Sequence, residues 1–318
     1  MKSNIQFSIV VPVYRNTASL PDLCSRLEQI ARDLDAPLEV VFVDDGSPDD
    51  SFEVLQNLLS RASFTSQLLA HSRNFGSFAA IRTGMAASRG EHVGVMAADL
   101  QEPPELMLEF FRSLASGEAD VAVGRRAARA DPRANRLSAS LFWRLYRAWV
   151  FPQMPEGGVD IFACNRAVAA EILDLKESHS SLVGLLYWVG FRRVEVPYDR
   201  LSRGHGTSGW SFRAKLRYLL DSVFSFTDLP LSLLIGVGIG GGFLTVLASI
   251  IVLISFLSGG ITEPGYTPLM LVILFSTFSL LLALGIVGSY VWRSFENTKQ
   301  RPSAIVMSRW TSDAATDH

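Results

Sequence analysis

The sequence predicts an α/β domain on a parallel sheet, followed by two long apolar helices. Up to about residue 126, short β-branched runs alternate with helical patterns, the signature of βαβ units whose strands are buried on both faces. Polar clusters gather just after the strand ends, where open α/β sheets place their ligand crevice. The apolar content that gives this 318-residue chain a mean hydropathy of +0.24 is concentrated in residues 229–292, where Glu263 is the only charged side chain.

The strands are expected at 7–14, 38–44, 67–71, 92–97 and 120–124, with helices at 19–34, 49–61, 76–88 and 104–115. Ser47, Pro48 and Asp49 open the second helix, since a hydroxyl or carboxylate accepts from orphan amides and proline is tolerated in the first turn. After Gly124 the alternation stops. Residues 125–147 are basic, with Phe142, Trp143 and Tyr146 along a helical pattern that suits either a bilayer surface or packing on the domain.

Residues 231–257 and 266–292 each run 27 positions without a charge, longer than the roughly 20 that span a hydrocarbon core. Both read as transmembrane helices. Arg192, Arg193, Arg200, Arg203, Arg213, Lys215 and Arg217 precede the first, and Arg293, Lys299, Arg301 and Arg309 follow the second. The loop between has no basic residue, so the positive-inside rule puts both termini in the cytoplasm. Residues 212–226 carry an apolar face (Phe212, Leu216, Leu219, Leu220, Val223, Phe226) and read as an interfacial helix. The expected organisation is a cytosolic domain at 1–211, a juxtamembrane helix at 212–230, a two-helix anchor at 231–292 and a cytosolic tail at 293–318.

Residues 1–7 hold no long apolar h-region behind the single Lys2, which argues against a cleaved secretory signal. Cys24 and Cys164 are too few for a disulfide framework. A net charge of −2 gives no support to nucleic-acid binding. Gly236, Gly238, Gly240, Gly241 and Gly242 permit close helix approach, either between the two spans or between chains of a homo-oligomer.

Two motifs carry chemistry. Val43-Asp44-Asp45-Gly46-Ser47 ends a buried strand, and adjacent carboxylates there need partners or a polar ligand. Asp44 is the better ligand candidate; for Asp45, capping of the following helix is an equal alternative. Asp99-Leu100-Gln101-Glu102-Pro103-Pro104 ends another strand, where one carboxylate suits a hard divalent cation that neutralises a diphosphate.

These motifs occur in order with Val11-Pro12-Val13-Tyr14, Asn16, Arg73-Asn74-Phe75-Gly76, Gly124-Arg125 and Arg203-Gly204-His205-Gly206-Thr207-Ser208-Gly209-Trp210. Together they resemble the family 2 glycosyltransferases of the dolichol-phosphate mannose synthase type, in particular bacterial polyprenyl-phosphate glycosyltransferases with two C-terminal transmembrane helices. The resemblance implies a GT-A type, Rossmann-like nucleotide-sugar domain at the bacterial cytoplasmic membrane. It implies that Pro12, Tyr14, Asn16, Asp44, Asp45 and Arg73 serve the nucleotide, and that Asp99 and Gln101 bind Mg²⁺ or Mn²⁺ and the diphosphate. Arg125 and Arg203 correspond to phosphate-contacting arginines. Asp160, in Gly157-Gly158-Val159-Asp160-Ile161-Phe162, corresponds to an aspartate near the reacting centre, as general base or orienting group.

Three positions depart from the family pattern. Ala97 stands where the first aspartate of Asp-x-Asp is usual, Asn16 where an acidic residue is usual, and Gly209 where many relatives carry lysine. The implied reaction is an inverting transfer of a hexose from a nucleotide sugar to undecaprenyl or another polyprenyl phosphate. UDP-glucose is the first donor expected, with a UDP-amino-arabinose derivative or GDP-mannose as alternatives. A processive polysaccharide synthase is disfavoured because Arg309-Trp310 lacks the preceding glutamine of Gln-x-x-Arg-Trp. A catalytically silent membrane scaffold remains the alternative from a different class.

Overall fold

The computed structural model describes residues 5–126, 144, 147–148, 150, 152–155, 159–175, 181–201, 220–224, 226–227, 229–258, 265–299 and 301–312. The chain divides into two compact units, one of Met1–Leu216 with Arg301–His318 and one of Arg217–Gln300.

The first unit follows the expected alternation through β1 (Phe7–Val13), α1 (Leu20–Asp33), β2 (Leu38–Asp44), α2 (Ser51–Leu59), β3 (Thr65–His71), α3 (Ser77–Ala87), β4 (His92–Val95), α4 (Leu106–Ala115) and β5 (Val121–Arg126). Leu20, Leu23, Leu27 and Ile30 recur at helical spacing on α1 and are buried, while β2 is buried at every position. Gly84 of α3 lets that helix approach closely, since a Cβ there would lie 2.3 Å from Val10 Cγ1.

Four elements complete the described unit: β6 (Phe162–Asn165), α5 (Arg166–Asp174), α6 (Leu182–Trp188) and β7 (Arg193–Tyr198), with β8 (Val306–Ser312) arriving from the C-terminus. The strand order is β7-β5-β6-β4-β1-β2-β3-β8. This corrects the all-parallel expectation, because β6 runs antiparallel to both β4 and β5, and β8 antiparallel to β3. It also corrects the tail. Residues 306–312 complete a sheet edge, since pairing with β3 satisfies backbone groups that an edge strand would leave open.

At the N-terminal ends of β1 and β2, buried Glu39 accepts from Ser8 Oγ at 2.8 Å, Gln67 Nε2 at 2.9 Å, Arg89 Nε at 2.6 Å and the Arg89 amide at 2.8 Å. With this many donors the buried charge is compensated. The opposite, C-terminal strand ends carry the motifs. β1 lies between β2 and β4, so the chain order reverses there, which is where α/β sheets open a crevice.

The second unit contains α7 (Leu229–Leu257, 29 residues) and α8 (Tyr266–Thr298, 33 residues), which contact one another. Helix α8 runs past the expected end at 292, and Arg293 Nη2 donates to Asp221 at 2.7 Å. Among the described residues no helix is long and apolar enough to cross a membrane. The structure thus bears out helices at 231–257 and 266–292 and not membrane spans there. Of the interfacial helix expected at 212–226, residues 220–224 are helical and 212–219 lie outside the described residues. Most of the segment 125–147 lies outside them too.

Candidate functional site

Asp44 ends β2 with only 5% of its surface exposed, and its described hydrogen bonds come from Ser47, whose amide donates to Oδ1 at 3.0 Å. Burial pushes its pKa up, against the lowering effect of those hydrogen bonds. Asp44 lines a cavity of about 500 Å³ together with Ser47, Phe52, His71, Arg73, Met307 and Ser308. Arg73 places its guanidinium 3.9 Å from the Phe75 ring centroid and donates from Nη1 to Asn74 O at 3.0 Å.

Asp45 is placed differently from expectation. Its Oδ1 accepts from Phe75 N at 2.9 Å and pairs with His71 Nδ1 at 2.8 Å, and its Oδ2 accepts from Gly76 N at 2.7 Å. His71 Nε2 in turn meets Thr83 Oγ1 at 3.0 Å. The carboxylate is thus taken up within the protein, by the turn that leads into α3 rather than by the helix that follows it in sequence. This is a positioning role for the loop bearing Arg73. Gly46 is required beside it: its φ is +64°, and a Cβ would fall 2.5 Å from the Arg73 carbonyl carbon.

Pro12, near the end of β1, is half-buried, and in the turn that follows Tyr14 is 40% exposed. Asn16 Oδ1 accepts from Tyr14 N at 3.0 Å, so Asn16 fixes the turn locally. Thr17 and Ser51 each donate to Asp49 at 2.7 Å; burial raises the pKa of Asp49, but these bonds outweigh it and hold it low. Ser19 Oγ donates to Ala98 O at 2.8 Å, tying the β1 turn to the Asp99 turn.

Asp99 and Gln101 flank Leu100, whose φ of +55° is uncommon for a non-glycine residue and marks a constrained turn. Gln101 Oε1 accepts from Arg200 Nη2 at 2.6 Å, and its backbone oxygen accepts from Leu201 N at 2.9 Å. The side-chain oxygen expected to serve a metal is engaged by an arginine instead. Glu102, missed by the sequence reading, is 3% exposed; Arg200 Nε stands 3.4 Å from Oε1 without hydrogen-bond geometry. Burial, then the nearby Asp160 and Asp99 charges, push the Glu102 pKa up to about 7.

The arginines also sort differently. Side chains alternate along β5, so Arg125 and Arg126 leave opposite faces. Arg125 is half-exposed and pairs with Glu195 at 3.3 Å. Arg126 is partly buried and pairs with Asp160 Oδ2, which also accepts from Tyr198 OH at 3.5 Å. Burial works against the Arg126 charge, but Asp160 and Tyr198 outweigh it and raise the pKa. Arg126, and not Arg125, therefore meets Asp160, and Asp160, already bonded, is suited to orienting that guanidinium. Arg203 lies outside the described residues. The alternation of a strand was the available signal for Arg126; Glu102 had none beyond its motif.

A single carboxylate at a strand end fits a cation such as Mg²⁺ that keeps most of its coordination from diphosphate and water. Among the described residues no group of three or more His, Cys, Asp or Glu is arranged to hold a metal alone.

Residues 8–173 match the family model described as glycosyl transferase family 2. The chain belongs to that family. This glycosyltransferase is 33% identical over 313 residues to the uncharacterized glycosyltransferase YkcC of Bacillus subtilis (strain 168), covering 98% of this chain and 96% of that protein. It is 31% identical over 314 residues to the undecaprenyl-phosphate 4-deoxy-4-formamido-L-arabinose transferase of Pseudomonas syringae pv. syringae (strain B728a), covering 98% and 93%. In fold it is similar to glucosyl-3-phosphoglycerate synthase from Mycobacterium tuberculosis in complex with Mn²⁺, UDP-glucose and phosphoglyceric acid. The TM-score is 0.50 at 17% identity, over 70% of this chain and 79% of that one. The glycosyltransferase thus has the mixed α/β GT-A architecture.

Proposed function

We propose that this glycosyltransferase transfers a sugar from a nucleoside diphosphate to a polyprenyl phosphate, with inversion, at the cytoplasmic face of a bacterial membrane. The observation that carries the reading is the tie between the turns after β1 and β4: Thr17 donates to Asp49, which lines the Asp44 cavity, and Ser19 Oγ donates to Ala98 O, next to Asp99, whose charge acts on Glu102 together with those of Asp160 and Arg126. The undecaprenyl-phosphate transferase likeness over nearly the whole chain supports the acceptor class. UDP-glucose is the donor put forward first, and the formamido-arabinose name of that relative keeps an amino-arabinose donor as the second reading.

In this reading Asp44 accepts from the edge of the nucleobase, and Arg73 faces the same cavity. Asp99 would hold a divalent cation, Mg²⁺ or Mn²⁺, that neutralises charge on the departing diphosphate. Arg126, held by Asp160 and Tyr198, presents a fork matched to phosphate oxygens. Asp160 need not take a proton, because a phosphate monoester is already largely dianionic near neutrality, with a second pKa of about 6. Holding lipid phosphate and anomeric carbon together supplies the orientation that a bimolecular displacement lacks.

The anchor belongs to the same proposal. Helix α7 has no charged residue and α8 none before Arg293, at lengths of roughly 43 and 50 Å for a rise of 1.5 Å per residue. Phe243, Leu244, Ile254, Leu280, Leu284 and Val291 are exposed, an apolar surface that water disfavours and lipid accepts. Incubating the purified full chain with undecaprenyl phosphate and a panel of nucleotide sugars, with and without chelator, tests this by the mass of the lipid product. A glycosylated lipid phosphate is expected, lost on chelation; no transfer from any donor overturns the reading.

A further inference from the structure

The donor cavity has a wall from the far end of the chain. Met307 and Ser308 of β8 line it with Asp44 and Arg73. Their placement comes from a register shift: Ser308 pairs with Ala70 and Val306 with His71, so β8 spends one residue more than β3 at this point. Met307 is that extra residue. Bulges of this kind bend an edge strand and re-aim a side chain, and they recur beside active sites. The ladder holds on both sides, because Ser72 N donates to Ile305 O at 3.0 Å beyond the bulge and Trp310, opposite Leu68, packs on the core before it. The bulge is therefore fixed in place.

Met307 is 70% exposed at this wall. A nucleobase has flat, polarizable faces and an edge with N–H donors. A thioether suits the face, and a buried carboxylate suits the edge. We propose that Met307 and Ser308 form the wall on which the donor's nucleobase seats, which makes β8 an element of donor specificity. The proposal rests on reading the cavity as the nucleoside pocket. It assigns a donor role to residues outside 8–173, the stretch that matches the family model. It also gives the C-terminal segment a reason to return to the sheet, since residues 301–305 alone separate β8 from Gln300, the last residue of the other unit.

The test titrates the purified full chain in detergent with UDP and with GDP, reading Kd by calorimetry for wild type, Met307→Ala, Ser308→Trp and, as a control away from the cavity, Arg61→Ala. Ser308→Trp is expected to raise Kd for the preferred nucleotide about tenfold or more, and Met307→Ala about threefold with a narrower UDP-to-GDP ratio. Arg61→Ala stays at wild type. Wild-type Kd values and ratio in both β8 variants overturn the wall assignment while leaving the nucleoside pocket intact. Wild-type protein that binds neither nucleotide overturns the pocket reading itself, and the wall with it. Should Ser308→Trp lower the melting midpoint, Met307→Ala decides, because its exposed side chain leaves β8 pairing untouched.

Discussion

The Asp45 carboxylate accepts the Gly76 amide at 2.7 Å, which makes the turn leaving β2 and the turn entering α3 one mechanical unit. Phe75 N and His71 Nδ1 converge on the other oxygen, so one buried side chain holds two amides of the loop that carries Arg73 and the ring at the end of β3. Removing it leaves the buried His71 Nδ1 and two part-buried amides without this acceptor.

Asp45→Ala is accordingly expected to lower unfolding stability by about 3–5 kcal/mol, the range for breaking a buried, hydrogen-bonded charge. Asp45→Asn, which keeps one acceptor, should lose less. Denaturation midpoints of the three proteins check this; equal midpoints would mean the tie contributes nothing.

Gly46→Ala tests the same unit from the backbone. Positive φ and the 2.5 Å approach to Arg73 both oppose a side chain, and a loss of roughly 1–3 kcal/mol is expected. Nucleotide affinity should fall with it, since the displaced segment bears Arg73. A variant as stable and as tight-binding as wild type contradicts the close approach.

The two arginines of β5 give opposite expectations. Arg126→Ala should cut lipid-product formation by about 100-fold while nucleotide Kd changes little, as for loss of a donor to developing charge. Arg125→Ala, which breaks only an exposed pair with Glu195, should stay within about threefold. Turnover measured by lipid mass separates them, and the reverse order would restore Arg125 to the phosphate.

Glu102 makes stability pH-dependent. Its folded pKa of about 7 lies above the ordinary 4.5, so the folded state binds more protons across that interval. Its contribution is full below pH 4.5 and is lost as pH rises through about 7. Glu102→Gln should flatten this decline and exceed wild-type stability at pH 8. Melting midpoints at pH 5 and pH 8, taken with chelator present, read the difference; parallel pH profiles would show that Glu102 does not titrate in this interval.

The five leading strands and four helices were legible because each is fixed by local pattern: β-branched runs for β1 and β2, Leu20, Leu23, Leu27 and Ile30 for α1. The placement of Asp44 at the end of β2 and of Asp99 in the turn after β4 was legible from motif position. The sequence ranked Asp44 above Asp45 as a ligand but could not say which turn Asp45 would tie, because neighbouring carboxylates differ only in what the fold brings to them. Nor could it separate Arg125 from Arg126 without the pairing that sets which face of β5 meets Asp160.

By itself, then, the sequence determined the alternation of strands and helices, the strand-end placement of the polar motifs, and the apolar character of 229–292. These follow from periodicity and composition, which are short-range properties of a chain. Only the tertiary structure decided that Asp45 ties a loop, that Glu102 is buried beside Asp99 and Asp160, and that Met307 lines the cavity of Asp44. Each depends on bringing distant residues together, and burial and pairing act only once they have met.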